Sequence, residues 1–274
     1  MTAPMATSTS RTVDLADDLS LTIDEYGVNA EGSAVLLLHG GAGPRSVAGL
    51  AAALSEHGYV IAPTHPGFDG TPRPGWFDST GDLATAYLDL LDALDLTEVM
   101  VIGNSIGGWI AAEMALRDTR RRIGVLTLLN AIGIKPPSEK DVVDIRGVDP
   151  AEISMLSFAN AAFRPDFAAF SDAQRAAMAA NQKTLTTYAG ASWMYDPKLR
   201  GRLHRVTVPV LVAWGVQDGI VSVEYGRAYA DSFPNGHFVP VPDAGHFPHI
   251  EQMGRTLGAI GEFVDTVVKP PVSA

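Results

Sequence analysis

The sequence predicts an α/β fold, with a mostly parallel central sheet, helices on both faces and one helical insertion. Three observations predict it. Apolar runs typical of strands alternate with helix-like segments along most of the 274 residues. The strand–helix order repeats, which favours parallel strands joined by right-handed crossovers. The alternation then stops after residue 132 for roughly 70 residues, far longer than an ordinary loop.

Strands are predicted where a short apolar run ends at glycine, proline or a polar residue. The run AVLLLHGG is continuous, as expected of a strand buried on both faces, whereas LSLTIDEYG alternates with a period of two. The predicted strands, in chain order, are 19–27, 34–41, 59–63, 98–103, 123–130, 208–215 and 237–242.

Helices are predicted from apolar periodicity and from residues that cap helix starts. Ser46 is the candidate N-cap of the first helix, Asp149 precedes Pro150 at a second start, and Ser171 with Gln174 has capping-box spacing. The predicted helices, in chain order, are 46–57, 82–96, 106–116, 149–158, 171–188, 223–233 and 249–268.

These elements group into one α/β core and one insertion. We predict that residues 12–132 and 206–270 form the core and that 133–205 form a mostly helical cap without a buried strand. Residues 1–11 are small and polar, without the basic and apolar regions of a signal peptide, and are predicted to be a disordered tail.

Composition narrows the function class. The net charge of −11 argues against nucleic acid or an anionic membrane as partner. The chain has no cysteine, no apolar run long enough to span a bilayer, and none of the spacings typical of metal or nucleotide sites. We therefore expect a cytoplasmic protein that acts on a small molecule without a metal or cofactor, as a monomer or a homodimer.

Ser105 lies between glycines at the point where a predicted strand becomes a predicted helix. The stretch Gly103-Asn104-Ser105-Ile106-Gly107 fits the G-x-S-x-G elbow, in which a nucleophilic serine stands clear of the sheet. The alternative is a glycine-rich turn with a serine N-cap. A serine hydroxyl reacts at neutral pH only with a nearby base and with donors for the developing oxyanion, so the rest of the sequence must supply these groups.

Four motifs in order, LLLHGGAGP, GNSIGG, VAWGVQDGIV and DAGHFPHIEQ, resemble those of the α/β-hydrolase fold superfamily, in the subgroup with a helical cap after the sixth strand. The resemblance covers Thr12 to Val268. It implies that Ser105 is the nucleophile, His246 the base and Asp218 the acid that orients the base. The chain order Ser, Asp, His is also that of this superfamily.

Alternatives exist for two members of this triad. His249 is close to His246, but Pro248 before it indicates that the helix has already begun. A family variant places the acid near Asn130, where this chain has no carboxylate.

The oxyanion donors are expected to be backbone N–H groups. Ile106 directly follows the serine and should give one. The loop HGGAGP should give the other, with Gly41 favoured over Ala42.

Aromatic residues in the insertion predict an apolar roof over the site. Phe158, Phe163 and Trp193 are the cap candidates for the substrate pocket, together with Ala42 and with Phe247, where carbon–carbon hydrolases of this superfamily tend to carry tryptophan. His65 and Asp69 have no assigned role, and a braced turn is favoured for both.

The predicted activity is that of a cofactor-free serine hydrolase that cleaves a carboxylic ester of a lipophilic small molecule through an acyl-enzyme on Ser105. Within the same triad, a carbon–carbon bond hydrolase, a thioesterase, a lactonase and a perhydrolase-type enzyme are alternatives. A ligand receptor with a vestigial triad is the alternative from another class.

Overall fold

The computed structural model describes residues 8–29 and 34–268. Within these residues it has ten strands and nine α-helices. The strands are β1 (Thr9–Ala16), β2 (Leu19–Tyr26), β3 (Ala34–Leu38), β4 (Tyr59–Pro63), β5 (Val99–Asn104), β6 (Ile123–Leu129), β7 (Gly133–Ile134), β8 (Tyr195–Asp196), β9 (Val210–Gly215) and β10 (Gly236–Val241). The helices are α1 (Ala48–Leu54), α2 (Thr80–Ala93), α3 (Ile106–Arg117), α4 (Pro150–Ser157), α5 (Asp172–Ala189), α6 (Leu199–Arg202), α7 (Val223–Ala230), α8 (Pro248–Glu251) and α9 (Met253–Val268).

Eight strands form one sheet in the order β1-β2-β4-β3-β5-β6-β9-β10. The hairpin β1–β2 is antiparallel and pairs antiparallel with β4, whereas the six strands from β4 to β10 pair in parallel. Every residue of β3, β4 and β9 is buried, as their continuous apolar runs predict. The predicted mostly parallel sheet is therefore confirmed.

Apolar side chains cover both faces of the sheet. On one face α1 and α9 pack through residues such as Leu50 and Phe263. On the other face α2, α3 and α7 pack through Leu83, Ile110 and Tyr229. The prediction of helices on both faces is confirmed, and two separate apolar layers hold the sheet between them.

The predicted disordered tail is wrong for residues 9–11, because β1 begins at Thr9. Its polar residues lie on the edge strand, where one side of the ladder faces solvent, and Arg11 Nε lies 2.7 Å from Glu25 Oε2 on β2. A polar edge strand and a disordered tail have similar composition. Residues 1–7 of the predicted tail, and 269–270 of the predicted core, lie outside the described residues.

Two helix predictions also need correction. Ser46 does not cap α1, because a short 3-10 turn over Pro44–Val47 precedes the helix, and Ser46 Oγ donates to the Gly43 carbonyl within that turn. The predicted last helix is two helices, α8 and α9, since the backbone of Gln252 between them is not helical, with φ −135° and ψ 54°. The caps predicted at Asp149 and Ser171 are present.

We call residues 133–205 the cap. It contains α4, α5 and α6 and several 3-10 turns, but also β7 and β8, which pair in parallel. The expectation of no buried strand there is thus wrong for Gly133–Ile134, a two-residue strand too short to show a period in the sequence. Tyr188 on α5 donates to the Pro66 carbonyl of the core at 2.7 Å.

Candidate active site

Polar side chains follow four neighbouring parallel strands where these strands end. Ser105 follows β5, Asn130 follows β6, Asp218 lies three residues after β9, and His246 lies five residues after β10. Because parallel strands all end at the same edge of a sheet, side chains far apart in sequence converge there, as ligand sites in such folds do.

Ser105 occupies a strained turn between β5 and α3. Its φ is 56° and its ψ is −121°. A Cβ on Gly103 would lie 2.3 Å from the Gly107 carbonyl oxygen, and a Cβ on Gly107 would lie 2.4 Å from that of Leu38, so both positions require glycine. Such a conformation costs on the order of 1–3 kcal/mol and indicates a function for the side chain that it presents.

Asp218 and His246 form a hydrogen-bonded pair. Asp218 Oδ2 lies 2.7 Å from His246 Nδ1, and the aspartate side chain has no exposed surface. Asp218 Oδ1 accepts from the N–H groups of Ile220 and Val221. A carboxylate accepts only, so Nδ1 carries the proton of the neutral imidazole and Nε2 is left as the basic nitrogen.

Asn130 is a site residue for which no role was predicted. Its Nδ2 donates to Asp218 Oδ2 at 2.7 Å, and its Oδ1 accepts from the Gly215 N–H at 2.9 Å. The residue is fully buried with φ 43°. Its position directly after β6 was an indication, since the family variant carries its acid there. Here the amide of Asn130 holds the acid, Asp218, in place.

Ser105 and His246 line the same cavity. In the described part of the chain Ser105 Oγ makes no hydrogen bond, whereas the serine backbone N–H donates to Leu129 and its carbonyl accepts from Gly108, Trp109 and Ile132. The backbone is therefore fixed and the hydroxyl is left for a ligand. In free enzymes this serine–histidine contact is often long and tightens only with substrate.

The predicted oxyanion donors lie beside the serine. A Cβ on Gly40 would be 3.1 Å from Ser105 Cβ, so the glycine loop packs directly against the elbow. Among the described residues, neither the Gly41 N–H nor the Ile106 N–H donates to a protein acceptor. Ile106 begins α3, where N–H groups lack helical partners and attract negative charge. Gly41 and Ile106 thus fit the predicted role, and Ala42 lies next in the same loop.

A buried histidine orients the peptide that carries the Gly41 N–H. His39 Nε2 accepts from the His65 N–H at 3.0 Å, so the ring proton lies on Nδ1 and is donated to the Gly40 carbonyl at 2.7 Å. Burial lowers the pKa of His39 to about 4, which keeps the ring neutral. Since the Gly40 carbonyl and the Gly41 N–H share one peptide plane, this bond fixes the direction of that N–H.

His65 and Asp69, left without a role by the sequence, brace this region. His65 stacks on His39 with ring centroids 3.7 Å apart, and its Nδ1 bonds the Tyr87 hydroxyl. Asp69 exchanges two hydrogen bonds with Asn181 of α5, at 2.8 and 2.7 Å, and so joins the core to the cap. The predicted braced turn agrees with these contacts.

A cavity of about 660 Å³ lies between the core and the cap. Most of its lining is apolar, and much of that lining comes from the cap. Its apolar cap residues include Val142, Ile145, Ile153, Phe167, Met178 and Leu185. The only cation lining it within the described residues is Arg45, whose exposed head lies 3.7 Å from Asp69.

Three of the five pocket candidates line this cavity and two do not. Ala42, Phe158 and Phe247 line it, and the rings of Phe158 and Phe247 stack 5.0 Å apart. The prediction for Phe163 is wrong, because this residue does not line the cavity and is 41% exposed to solvent. Trp193 is also wrong, since it is buried in the base of the cap with Arg146 over its ring.

His249, the alternative candidate for the base, makes the stability of the fold depend on pH. Its ring is fully buried, Nε2 donates to the Ser46 carbonyl at 3.1 Å, and burial lowers its pKa to about 4. The unfolded chain, with an ordinary pKa near 6.5, takes up this proton first as the pH falls. The contribution of His249 to the free energy of unfolding is thus fully present above about pH 6.5 and is lost as the pH falls towards 4. At pH 5 the loss is about 2 kcal/mol.

Replacing His249 with glutamine should remove that part of the pH dependence, since a glutamine amide can still donate to Ser46. Urea unfolding at pH 7 and pH 5 measures it. We expect the wild type to lose about 2 kcal/mol more between the two values than His249→Gln does. The exposed His57→Gln is the control and should behave as wild type. Equal losses in His249→Gln and wild type would contradict the prediction.

Residues 35–259 match the alpha/beta hydrolase family. The chain belongs to that family. The predicted fold class and the resemblance drawn from the four motifs are thereby confirmed. Membership of this family also supports the predicted hydrolase activity.

Proteins similar to this alpha/beta hydrolase are named for different hydrolase activities. One is the 2-hydroxy-6-oxo-6-(2'-aminophenyl)hexa-2,4-dienoic acid hydrolase of Metapseudomonas resinovorans, 27% identical over 81% of this chain and 80% of the relative. A thermophilic esterase from Thermogutta terrifontis superposes with a TM-score of 0.73 at 25% identity, over 96% of this chain and 99% of the esterase. A bacterial membrane phospholipase A has the same fold, with a TM-score of 0.80 at 22% identity over 96% and 87% of the two chains.

None of the helices within residues 8–29 and 34–268 combines the length and the apolar character that a membrane crossing requires.

Proposed function

We propose that this alpha/beta hydrolase is a cofactor-free serine hydrolase that cleaves a carboxylic ester of a lipophilic small molecule. One observation carries the proposal. His246, bonded to Asp218 at 2.7 Å, and the strained Ser105 elbow border the same largely apolar cavity. A strained serine, an oriented imidazole and free N–H groups together meet the needs of acyl transfer.

Each residue then has one role. Ser105 Oγ attacks the ester carbonyl carbon while His246 Nε2 accepts its proton, and Asp218 stabilises the imidazolium. The carbonyl oxygen becomes an oxyanion that accepts hydrogen bonds from the Gly41 and Ile106 N–H groups. His246 gives the proton to the leaving alcohol as the ester bond breaks. Water, activated by the same imidazole, then cleaves the acyl-enzyme, releasing the acid and restoring the hydroxyl of Ser105.

The lining of the cavity supports a neutral, apolar substrate. Apolar side chains from α4, α5 and the segment 142–148 form most of the part of the cavity wall that the cap contributes. Burial of each methylene contributes about 0.8 kcal/mol, so such a wall favours substrates with hydrocarbon bulk.

Carbon–carbon bond hydrolysis is the second candidate, because a relative from Metapseudomonas resinovorans is named for a dienoic acid. A carboxylate substrate needs a cation where it binds. The only cation in the described lining, Arg45, is exposed and already next to Asp69. Phe247 stands where carbon–carbon hydrolases tend to have tryptophan. Both observations favour the ester.

A panel of acyl donors tests the proposal. With p-nitrophenyl esters of increasing acyl length, kcat/KM should rise about fourfold for each of the first added methylenes, the equivalent of about 0.8 kcal/mol. A dienoic acid of the kind in that relative's name should be a poor substrate. The opposite preference would favour the carbon–carbon reaction, and thioesters, lactones and peracid formation in the same panel test the remaining alternatives.

Two phenylalanines of the cap provide a matched control for this panel. Phe167 and Phe163 both lie in short 3-10 turns, but only Phe167 lines the cavity. Phe167→Ala should lower kcat/KM about tenfold for long-chain esters and leave the acetate unchanged, whereas Phe163→Ala should change neither. Equal effects of the two variants would mean that acyl chains do not bind in this cavity.

A further inference from the structure

The end of α4 contacts both loops that carry the proposed base and acid. The carbonyl of Ser157 accepts from the His246 N–H at 2.7 Å, and that of Leu156 accepts from the Gly219 N–H at 2.9 Å. Carbonyls in the last turn of a helix lack partners within the helix and need others. Two of these carbonyls in the cap are thus satisfied by residues at or next to the proposed triad.

Glu251 of α8 ties the same region together from the other side. Its Oε2 accepts from the Gly245 N–H at 2.7 Å, directly before His246. Its Oε1 accepts from the Asn160 N–H of the cap at 2.8 Å. The residue is only 7% exposed, and the proposed reaction does not use its carboxylate. A buried carboxylate is costly unless it is fully hydrogen-bonded, so these two contacts account for its presence.

The backbone around His246 has little freedom to move. A Cβ on Gly245 would lie 2.3 Å from the Ser157 carbonyl oxygen, so cap and loop are in direct contact. The His246 carbonyl accepts from Asn104 Nδ2 at 3.1 Å, next to the nucleophile. The histidine loop is therefore held by α8, by α4 and by the elbow.

Another contact between cap and core, made by α5, differs. On α5, Asn181, Thr184 and Tyr188 bond the core loop 65–71, which carries none of the proposed triad residues. Only α4 among these two cap helices reaches the acid and histidine loops, and Ile153, Ser154 and Ser157 of α4 also line the cavity. A ligand in the cavity therefore touches the helix that fastens both loops.

We propose that Glu251 is a positioning residue, which with the end of α4 clamps the His246 and Asp218 loops in register, so that the triad is aligned only while α4 is seated. The proposal rests on the function proposed above. It makes the cap part of the catalytic machinery as well as a wall of the pocket, because substrate that packs against α4 holds the base and the acid in place.

Two variants of Glu251 separate alignment from charge. Glu251→Gln keeps the size of the side chain but turns an NH2 group towards an N–H donor, so one of the two bonds is lost. Glu251→Asp keeps the charge and withdraws the oxygens by one methylene. The matched control is Glu113→Gln. Glu113 is also buried and also joins core to cap, through Arg202, but among the described residues its ion-pair partners are only Arg117 and Arg202.

We expect both Glu251 variants to lower kcat about tenfold on the best ester of the panel, with KM within twofold of wild type. The acid limb of their kcat/KM profiles should move to lower pH, because a displaced Asp218 stabilises the imidazolium less. The titratable groups around His246 are Asp218, His249 and Glu251.

In proton NMR spectra, the low-field resonance of the His246 Nδ1 proton should weaken in both variants. Glu113→Gln should lose stability without any of these changes.

Several results would overturn the clamp. If the Glu251 variants match Glu113→Gln in kcat, pH profile and Nδ1 resonance, the role of Glu251 is only structural. If the acid limb moves in Glu251→Gln but not in Glu251→Asp, the effect is one of charge and not of alignment. If the wild type hydrolyses no ester, the proposed function fails, and the Nδ1 resonance still decides on the clamp.

Discussion

Replacing Ser105 with alanine should lower kcat on the best ester by about 10⁴-fold to 10⁶-fold and abolish labelling by a fluorophosphonate probe. The reason is that the variant has no nucleophile at the elbow. The Ser105 hydroxyl lies on the elbow, on the cavity wall shared with His246, and hydrolysis by water alone would depend on the oxyanion donors and on binding. The measurement is kcat by single-turnover kinetics, with intact-mass spectrometry of the labelled protein.

A matched serine variant checks that the loss is specific. Ser232 lies just after α7, where its Oγ donates to the Ala228 carbonyl, away from the cavity lining. Ser232→Ala should keep wild-type kcat and give one adduct, on Ser105. A labelled Ser105→Ala, or a folded wild type that takes no label, would speak for another nucleophile or for a ligand receptor.

The elbow was predictable because its signal is local. The glycines at 103 and 107 are required by contacts within a few residues or with the adjacent strand, so they mark Ser105 in the sequence. Asp218 and His246 were predictable for a different reason. Each follows a recognisable buried strand, and parallel strands end at one edge. Order along the chain was therefore enough to suggest where these residues meet.

The hydrogen-bond partners of Asn130 and Glu251 could not be predicted in this way. Asn130 bonds a carboxylate 88 positions away, and Glu251 bonds an N–H group 91 positions away. Such contacts depend on the exact distances between loops, which hydrophobic periodicity does not encode. Phe163 and Trp193 show the same limit for the cap, because aromatic composition predicts a roof but not the direction in which each ring points.

The second large effect is expected for Asp218→Asn, which should lower kcat about 10⁴-fold. Oδ1 of Asp218 accepts two backbone N–H groups, from Ile220 and Val221, so the asparagine oxygen takes that place. Its NH2 group then faces Asn130 Nδ2 and His246 Nδ1, which are both donors in the wild type. The imidazole can accept from this amide only if Nδ1 is unprotonated, so the ring proton moves to Nε2. A protonated Nε2 can no longer take the proton of Ser105.

Asp118→Asn is the control for a change of carboxylate to amide. Asp118 also accepts backbone N–H groups, from Arg120, Arg122 and Ile123, but before β6, at the opposite edge of the sheet. Stability by urea unfolding should fall in both variants, whereas kcat should fall only in Asp218→Asn.

The pH dependence of kcat in Asp218→Asn decides the mechanism. Because the defect is one of tautomer and not of charge alone, kcat should stay low across pH 6 to 9. Activity near the wild-type value would show that the aspartate does not orient the base.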